Sequence, residues 1–286
     1  MGEGILYLCG TPIGNLEDIS ARALKILKSV DLIAAEDTRH SARLLNYFEI
    51  NVPLTSYYEH NKHSKGPKLI EMLLEGKKIA LVSDAGMPSI SDPGEGLVNL
   101  CYENHIKVVA IPGPTAVITA LVLSGLPSRR YVFEGFLPTD KKELGFILNV
   151  LKNEARTIII YESPHHLLKT LKLLYEYLGP REIAVVREMT KVFEETVRGR
   201  FLDVIDIFSS REIKGEFVIV VEGKKISSII EDGEKQWGAV PVMEHMKEYA
   251  GLSKKDAIKQ VAKDRGVPKR EIYDIVNGVK KKAPVN

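Results

Sequence analysis

From residue 5 to residue 126 the chain repeats one rhythm: a short apolar run rich in β-branched residues, a turn of glycine and proline, then an amphipathic segment. Candidate strands at 5–9, 32–35, 79–82 and 108–111 alternate with helical patterns at 19–30, 68–74 and 116–123. Parallel neighbours need a crossover between them, so this alternation predicts an α/β fold with a largely parallel sheet covered by helices. In such sheets ligands lie beyond the carboxyl ends of the strands. The loops that follow the strands are therefore the places to look for chemistry, and here they are dense in glycine and proline.

The pattern changes after Leu126 and Pro127. Strands at 156–161 and 182–187 flank a helix at 167–178, and 192–198 and 217–222 read as partners in a more mixed sheet. The stretch 224–237, with Ser227, Ser228, Asp232 and Gly233, has linker composition. Beyond it lie three short helical patterns at 242–249, 254–264 and 269–276. Ser253 is placed to cap the second, Gly266 to end it and Pro268 to precede the third, an arrangement like a helix-turn-helix. The expected units are an N-terminal α/β domain at 1–126, a second α/β domain at 127–224, and a linker with a basic helical module at 225–286.

Composition narrows the function classes. With 44% hydrophobic and 27% charged residues in 286, the chain resembles an ordinary soluble protein with a sizeable core. No apolar run approaches the roughly 18 residues of a spanning helix, and the Met-Gly-Glu-Gly start lacks a basic secretory leader, so a cytoplasmic protein without membrane partners is expected. Cys9 and Cys101 form no Cys-x-x-Cys pair and read as core thiols. The net charge of +2 conceals an asymmetry: between Gly251 and Lys282, ten basic residues oppose four acidic ones, a net of +6 that leaves −4 for the rest. A basic module on a mildly acidic body fits a polyanionic partner, with Lys254, Lys255, Lys259, Arg265, Lys269 and Arg270 as phosphate contacts.

Three loops combine into one candidate pocket. Gly10-Thr11-Pro12-Ile13-Gly14-Asn15 follows the first strand and is neither a dinucleotide fingerprint nor a Walker A loop. Ser83-Asp84-Ala85-Gly86-Met87-Pro88-Ser89-Ile90-Ser91-Asp92-Pro93-Gly94 is long for an α/β connection and suits a small polar ligand. Pro112-Gly113-Pro114-Thr115-Ala116 leads into an apolar helix. Further polar groups fall at strand ends: Glu36 to His40, Tyr161-Glu162-Ser163-Pro164-His165, Arg187-Glu188-Met189-Thr190-Lys191 and Gly215-Glu216. His60 and His63 lack a third ligand, and no metal is expected.

In this order the motifs, together with Phe133-Glu-Gly-Phe-Leu-Pro138, resemble the ribosomal RNA small subunit methyltransferase I family, the 16S ribosomal RNA (cytidine-2′-O)-methyltransferases of the tetrapyrrole methylase superfamily. The resemblance implies two facing α/β domains with S-adenosylmethionine in the cleft between them. Pro12, Asp84, Ala85, Gly86, Ile90, Thr115 and Ala116 would line the first-domain side of the cofactor. Tyr161, Glu162, Met189, Gly215 and Glu216 would supply the other. It also implies a homodimer and a cytidine in the decoding region of 16S rRNA on the small ribosomal subunit. His166 stands where the family carries arginine, and Thr139-Asp140 where it carries a basic residue.

A ribose hydroxyl attacks a methyl group best while its proton is leaving, so Glu162, His165, Glu188 and Lys191 are candidate proton acceptors. Arg39 and Arg187 are candidates for gripping phosphate or ribose oxygens. Removing everything after Ser253 should spare cofactor binding and weaken RNA binding. Two other readings stay open. A same-fold methyltransferase acting on a tetrapyrrole or a protein has no use for a basic tail. A ligand-sensing helix-turn-helix DNA regulator needs a base-reading helix, and 269–276 offers mainly Lys, Arg, Glu and Asp.

Overall fold

The computed structural model describes residues 3–92, 94–228 and 240–278. Met1 and Gly2, Pro93 of the long loop, most of the 224–237 linker with Asp232 and Gly233, and Lys280, Lys281 and Lys282 lie outside the described residues.

The first sheet holds β1 (Ile5–Cys9), β2 (Leu32–Ala35), β3 (Leu54–Ser56), β4 (Lys78–Val82) and β5 (Lys107–Ile111), in the order β3-β2-β4-β1-β5 and all parallel. Alternate strand residues feed two cores. Cys9, Ile33, Ala35, Ala80, Val82 and Ile111 pack on the face shared with α1 (Ala21–Leu27) and α2 (Thr38–Tyr47). Leu6, Ala34, Ile79 and Leu81 pack on the face of α3 (Lys62–Leu74) and α4 (Glu95–Glu103). Burial on both faces explains why these strands read as unbroken apolar runs. It also makes both thiols inert: burial pushes Cys9 up to about 12 and Cys101 up to about 11.

Helix α5 (Ala116–Ser124) leaves β5 and joins the two halves. Val117, Ala120 and Leu121 pack against Ile159, Ala184, Val186, Val218 and Val220 of the second sheet. A helix of almost wholly apolar sequence is what a position between two layers demands. Each valine, leucine or isoleucine among them removed from water contributes about 1.5–3 kcal/mol, so α5 is a strong mechanical link.

The second sheet has the order β6 (Tyr131–Phe136), β7 (Thr157–Glu162), β10 (Phe217–Val221), β8 (Glu182–Arg187), β9 (Glu195–Arg200). Only the β6–β7 pair is parallel, in keeping with the mixed sheet expected there. Helices α6 (Lys141–Leu151), α7 (Leu167–Leu178) and α8 (Phe201–Ser209) cover its far face. Asp140 accepts from the amides of Lys142 and Glu143, so the departure from the family's basic residue is an N-cap of α6. Strand β9 begins later than 192 because residues 188–194 are taken up by a turn with left-handed backbone at Glu188 and Thr190.

The C-terminal module comprises α9 (Val242–His245), a 3₁₀ turn (Met246–Tyr249), α10 (Lys254–Asp264) and α11 (Lys269–Val276). Ser253 caps α10, Gly266 takes the left-handed conformation after it, and Pro268 precedes α11. The module has its own small core of Ile258, Val261, Ala262 and Ile272. At its centre His245 is wholly buried: Nδ1 accepts from Nε of Arg265 at 3.1 Å, and Nε2 lies 3.3 Å from the Asp264 carboxylate. Arg265 also donates to the Val240 carbonyl, so its guanidinium is turned inward. Lys255, Lys259, Lys269 and Arg270 are exposed, while Lys254, also exposed, reaches Asn277.

Candidate active site

The loops leaving β1, β2, β4 and β5 are knitted together by backbone. Thr11 and Gly86 exchange two amide–carbonyl bonds of 2.9 and 3.1 Å, and the Thr11 hydroxyl donates to the Ser83 carbonyl. The Asp37 amide donates to the Asp84 carboxylate at 3.1 Å. Gly10 and Gly113 touch so closely that a β-carbon on Gly10 would fall 2.7 Å from the Gly113 Cα. Within the long loop Ser89 and Ser91 adopt left-handed backbone, at φ 72° and 64°. Such conformations cost free energy and persist where surrounding contacts enforce them, commonly at functional sites.

The second sheet faces these loops with its own strand ends. Tyr161 packs edge-on against Phe133 and Phe136, with centroids 4.8 and 5.6 Å away. Glu162 accepts from the Ser163 amide at 2.7 Å and the Thr170 hydroxyl at 2.6 Å, so both its oxygens are engaged. Glu188 accepts from Lys191 Nζ at 3.0 Å and from the Glu216 amide at 2.9 Å, and Lys191 also reaches the Glu216 carboxylate. Gly215 has no side chain because a β-carbon there would lie 2.6 Å from Glu188 Cγ. The halves meet where the Asn15 amide donates to the Thr190 hydroxyl at 3.0 Å.

Between the halves lies a cavity of about 450 Å³, a volume typical of small-molecule sites. Asp84, Ala85, Gly86, Ile90, Thr115 and Ala116 line its first-domain side, and Tyr161, Glu162, Met189 and Glu216 line the other. Pro12 and Gly215 are not on its wall; their neighbours Ile13 and Glu216 are. His165, Glu188, Lys191, Arg39 and Arg187 also lie off the wall. Arg39 is 90% exposed and pairs with Asp37, which it holds down to about 2. Arg187 donates to the Lys214 carbonyl and sits 3.8 Å from Glu195. Sequence reasoning placed Glu36 and Asp92 in loops near the site without giving either a role, and it did not single out Phe136, Phe217 and Val218; all five are on the wall. Glu36, Asp92 and Phe136 stand inside recognisable motifs, whereas Phe217 and Val218 read only as strand core. Among the described residues no group of three metal-ligating side chains occurs, at His60 and His63 or elsewhere.

The cavity is acidic on its first-domain side. Burial raises Glu36, and nearby Asp92 and Asp84 raise it further. Burial, aided by Asp84, pushes Asp92 up to about 6 against a hydrogen bond from Ser83. Burial and the Asp92 charge push Tyr161 up to about 12. Across the cleft, burial raises Glu188, but its bonds to Lys191 and the Glu216 amide win, and its carboxyl stays below the usual range. Lys191 is correspondingly held protonated: burial alone would lower it, and its bonds to Glu188 and Glu216 outweigh that.

Residues 5–204 match the model of the tetrapyrrole (corrin/porphyrin) methylases. The chain belongs to this family. The methylase is 50% identical over 273 residues to a Bacillus subtilis protein named ribosomal RNA small subunit methyltransferase I, covering 95% of this chain and 93% of that one. It is 47% identical to a Thermotoga maritima protein of the same name over 222 residues, which is 78% of this chain and the whole of that one. These relatives place the methylase in the ribosomal RNA small subunit methyltransferase I branch. Among solved structures, cobalt-precorrin-4 methyltransferase superposes with a TM-score of 0.58 at 18% identity, over 76% of this chain and 94% of that one, and shares the fold.

Methylases of this family use S-adenosylmethionine, and the cavity fits it. Ile13, Met189 and Val218 offer apolar wall for a flat nucleobase and a thioether. Glu36 and Asp84 offer negative charge to a sulfonium and an ammonium. When bound, this group supplies an electrophilic methyl carbon.

Proposed function

We propose that the methylase transfers a methyl group from S-adenosylmethionine to the 2′-oxygen of a cytidine ribose in the decoding region of 16S ribosomal RNA. The carrying observation is an acidic and apolar cavity at the strand ends of a chain that matches a ribosomal RNA methyltransferase almost end to end. Methyl transfer is an in-line displacement, and holding the attacking oxygen behind the methyl carbon supplies several kcal/mol of the rate enhancement. The chain's own residues supply that alignment. The loops joined at Thr11–Gly86 and Gly10–Gly113 form one rigid wall, and the two bonds to Glu162 fix the Ser163-Pro164 turn on the other.

On this reading Asp84, Ala85, Gly86, Ile90, Thr115, Ala116, Tyr161, Glu162, Met189 and Glu216 hold the cofactor, while Pro12 and Gly215 shape the wall through Ile13 and Glu216. Arg39, exposed at the start of α2, and Arg187, near the Lys214 carbonyl, orient RNA phosphates. Lys254, Lys255, Lys259, Lys269 and Arg270 bind RNA through the C-terminal module, and Arg265 shapes the module through His245. The units are 1–126, 127–224 and 225–286, and the working form is a cytoplasmic homodimer.

The test mixes the full chain with methyl-labelled S-adenosylmethionine and small ribosomal subunits lacking ribose methylation, followed by digestion and mass spectrometry. Label on a cytidine ribose is the expected result. Label absent from RNA while cofactor still binds would move the substrate to a tetrapyrrole or a protein.

A further inference from the structure

The attacking hydroxyl needs a base, and the candidates from sequence are occupied. Both Glu162 oxygens carry hydrogen bonds, and Glu188, off the cavity wall, takes the Lys191 cation and the Glu216 amide on Oε1. Lys191 bridges two carboxylates, and His165 is off the cavity wall. Of the other carboxylates on the wall, Asp84 accepts the Asp37 amide, Glu36 accepts the Asp84 amide, and Glu216 pairs with Lys191 while 79% exposed. Asp92 differs from all of these. Among the described residues no amide or cation donates to it, and the Ser83 hydroxyl beside it is neutral and also within reach of the Ala85 and Gly86 carbonyls.

Position singles out the same residue. Asp92 follows the left-handed Ser89 and Ser91, where the long loop reaches the second domain: a β-carbon on Gly135 of β6 would lie 3.6 Å from Ser91 Oγ. From there Asp92 lines the same cavity as Tyr161, which its charge helps to raise. The charged and titratable groups around it are Glu36 from the end of β2, Asp84 from the same loop and Tyr161 from β7. A carboxylate that is partly desolvated and short of donors is a stronger base than one gripped by amides.

We propose that Asp92 is the catalytic carboxylate that takes the proton from the attacking ribose hydroxyl, an inference that rests on the ribose-methylation reading above. The bond from O2′ to the methyl carbon forms as the carbon–sulfur bond breaks. The hydroxyl proton passes to Asp92, leaving a neutral thioether and a neutral carboxylic acid, and the acid then returns its proton to water. Because Asp92 titrates near 6, it is ionised at neutral pH yet basic enough to accept a proton in the transition state.

The experiment compares the wild-type chain with Asp92→Asn and Asp92→Glu. Asparagine keeps size and an oxygen for the Ser83 bond but cannot accept the proton. We expect calorimetry to give S-adenosylmethionine and S-adenosylhomocysteine affinities within about threefold of wild type. Single-turnover transfer to small subunits should fall about 10²–10⁴-fold in Asp92→Asn. Asp92→Glu should recover part of that loss and retain the acidic limb of the pH–rate profile, which Asp92→Asn should lose. In wild-type protein alone, the ¹³C-carboxyl signal absent from the asparagine variant should titrate near 6, a readout independent of whether the variant is fully active. Asp92→Asn at wild-type rate overturns the proposal, as does a loss confined to cofactor affinity or an Asp92 signal titrating near 4. If wild-type protein labels no RNA, the ribose reading itself fails, and Asp92 as base falls with it. Labelled RNA alongside an equally active Asp92→Asn variant sinks Asp92 alone.

Discussion

Gly14 has no room for a β-carbon, which would sit 2.6 Å from both Lys191 Cγ and Thr190 Oγ1 and 2.9 Å from the Met189 carbonyl. The two side chains can yield, but the carbonyl belongs to a turn already held by left-handed residues and by the Lys191 bridge. Gly14→Ala should therefore push the two cavity walls apart, costing about 1–2 kcal/mol in thermal stability and about tenfold in S-adenosylmethionine affinity. Unchanged calorimetric affinity would show that the turn absorbs the methyl group. Asp92 carries a second residue-scale consequence. Its folded pKa of about 6 exceeds the usual 3.8, so the native state binds the extra proton, and stability falls as pH rises through that window. Asp92→Asn removes the penalty: after discounting for partial exposure it should gain about 1–2 kcal/mol over wild type at pH 8 and nothing below pH 4, read from melting temperatures across pH. A base kept short of donors is costly to the fold, and this difference measures the cost.

At the scale of elements, strands buried on both faces were legible because burial leaves an unbroken apolar run between glycine and proline turns. β1 and β2 begin and end where expected, while β4 and β5 start one residue earlier on the exposed Lys78 and Lys107. β3 left no such signal, being three half-buried residues. Helix α3 starts at Lys62, before the expected 68, and carries Pro67 within it. In the site, the glycine loops could be recognised as loops, but not which side chain each turns inward. Ile13 rather than Pro12 faces the cavity because Thr11 pairs with Gly86, a contact across distant sequence that no local pattern encodes. The C-terminal helices were legible from their caps, yet Arg265 read as one more surface cation. Its inward turn depends on His245, twenty residues earlier. His245→Ala should remove the partner of Arg265 Nε and one neighbour of the Asp264 carboxylate at the centre of the module, leaving their bonds to Val240 and Tyr249, and cost it about 1–3 kcal/mol. Hydrogen exchange on the full chain should then accelerate across α10 and α11 while the amides of β1 and β4 keep wild-type protection; equal protection throughout would deny the triad a structural role.

At the scale of the whole molecule, the two sheets are coupled and the C-terminal helices have a core of their own. The sheets share α5 and meet at Asn15–Thr190, so the cavity depends on both. The C-terminal helices close on their own core and gather exposed cations at Lys254, Lys255, Lys259, Lys269 and Arg270. Lys254 and Lys255 occupy the first turn of α10, where the helix dipole disfavours positive charge, which argues that binding rather than folding accounts for them. The Thermotoga maritima relative is matched over its whole length by 222 residues, about the span of the two sheets. A cut after Ser253 would strand His245 and Tyr249 without α10, so a cut after Lys224 is the cleaner division. The chain 1–224 should bind S-adenosylmethionine as tightly as the full chain. Its RNA affinity should fall, and the slope of log affinity against log salt should shrink by up to about 3, at about 0.7 for each phosphate of single-stranded RNA that the module no longer neutralises. An unchanged slope would mean that the RNA path runs over Arg39 and Arg187 rather than the module, and Arg39→Ala and Arg187→Ala together would then remove the salt dependence.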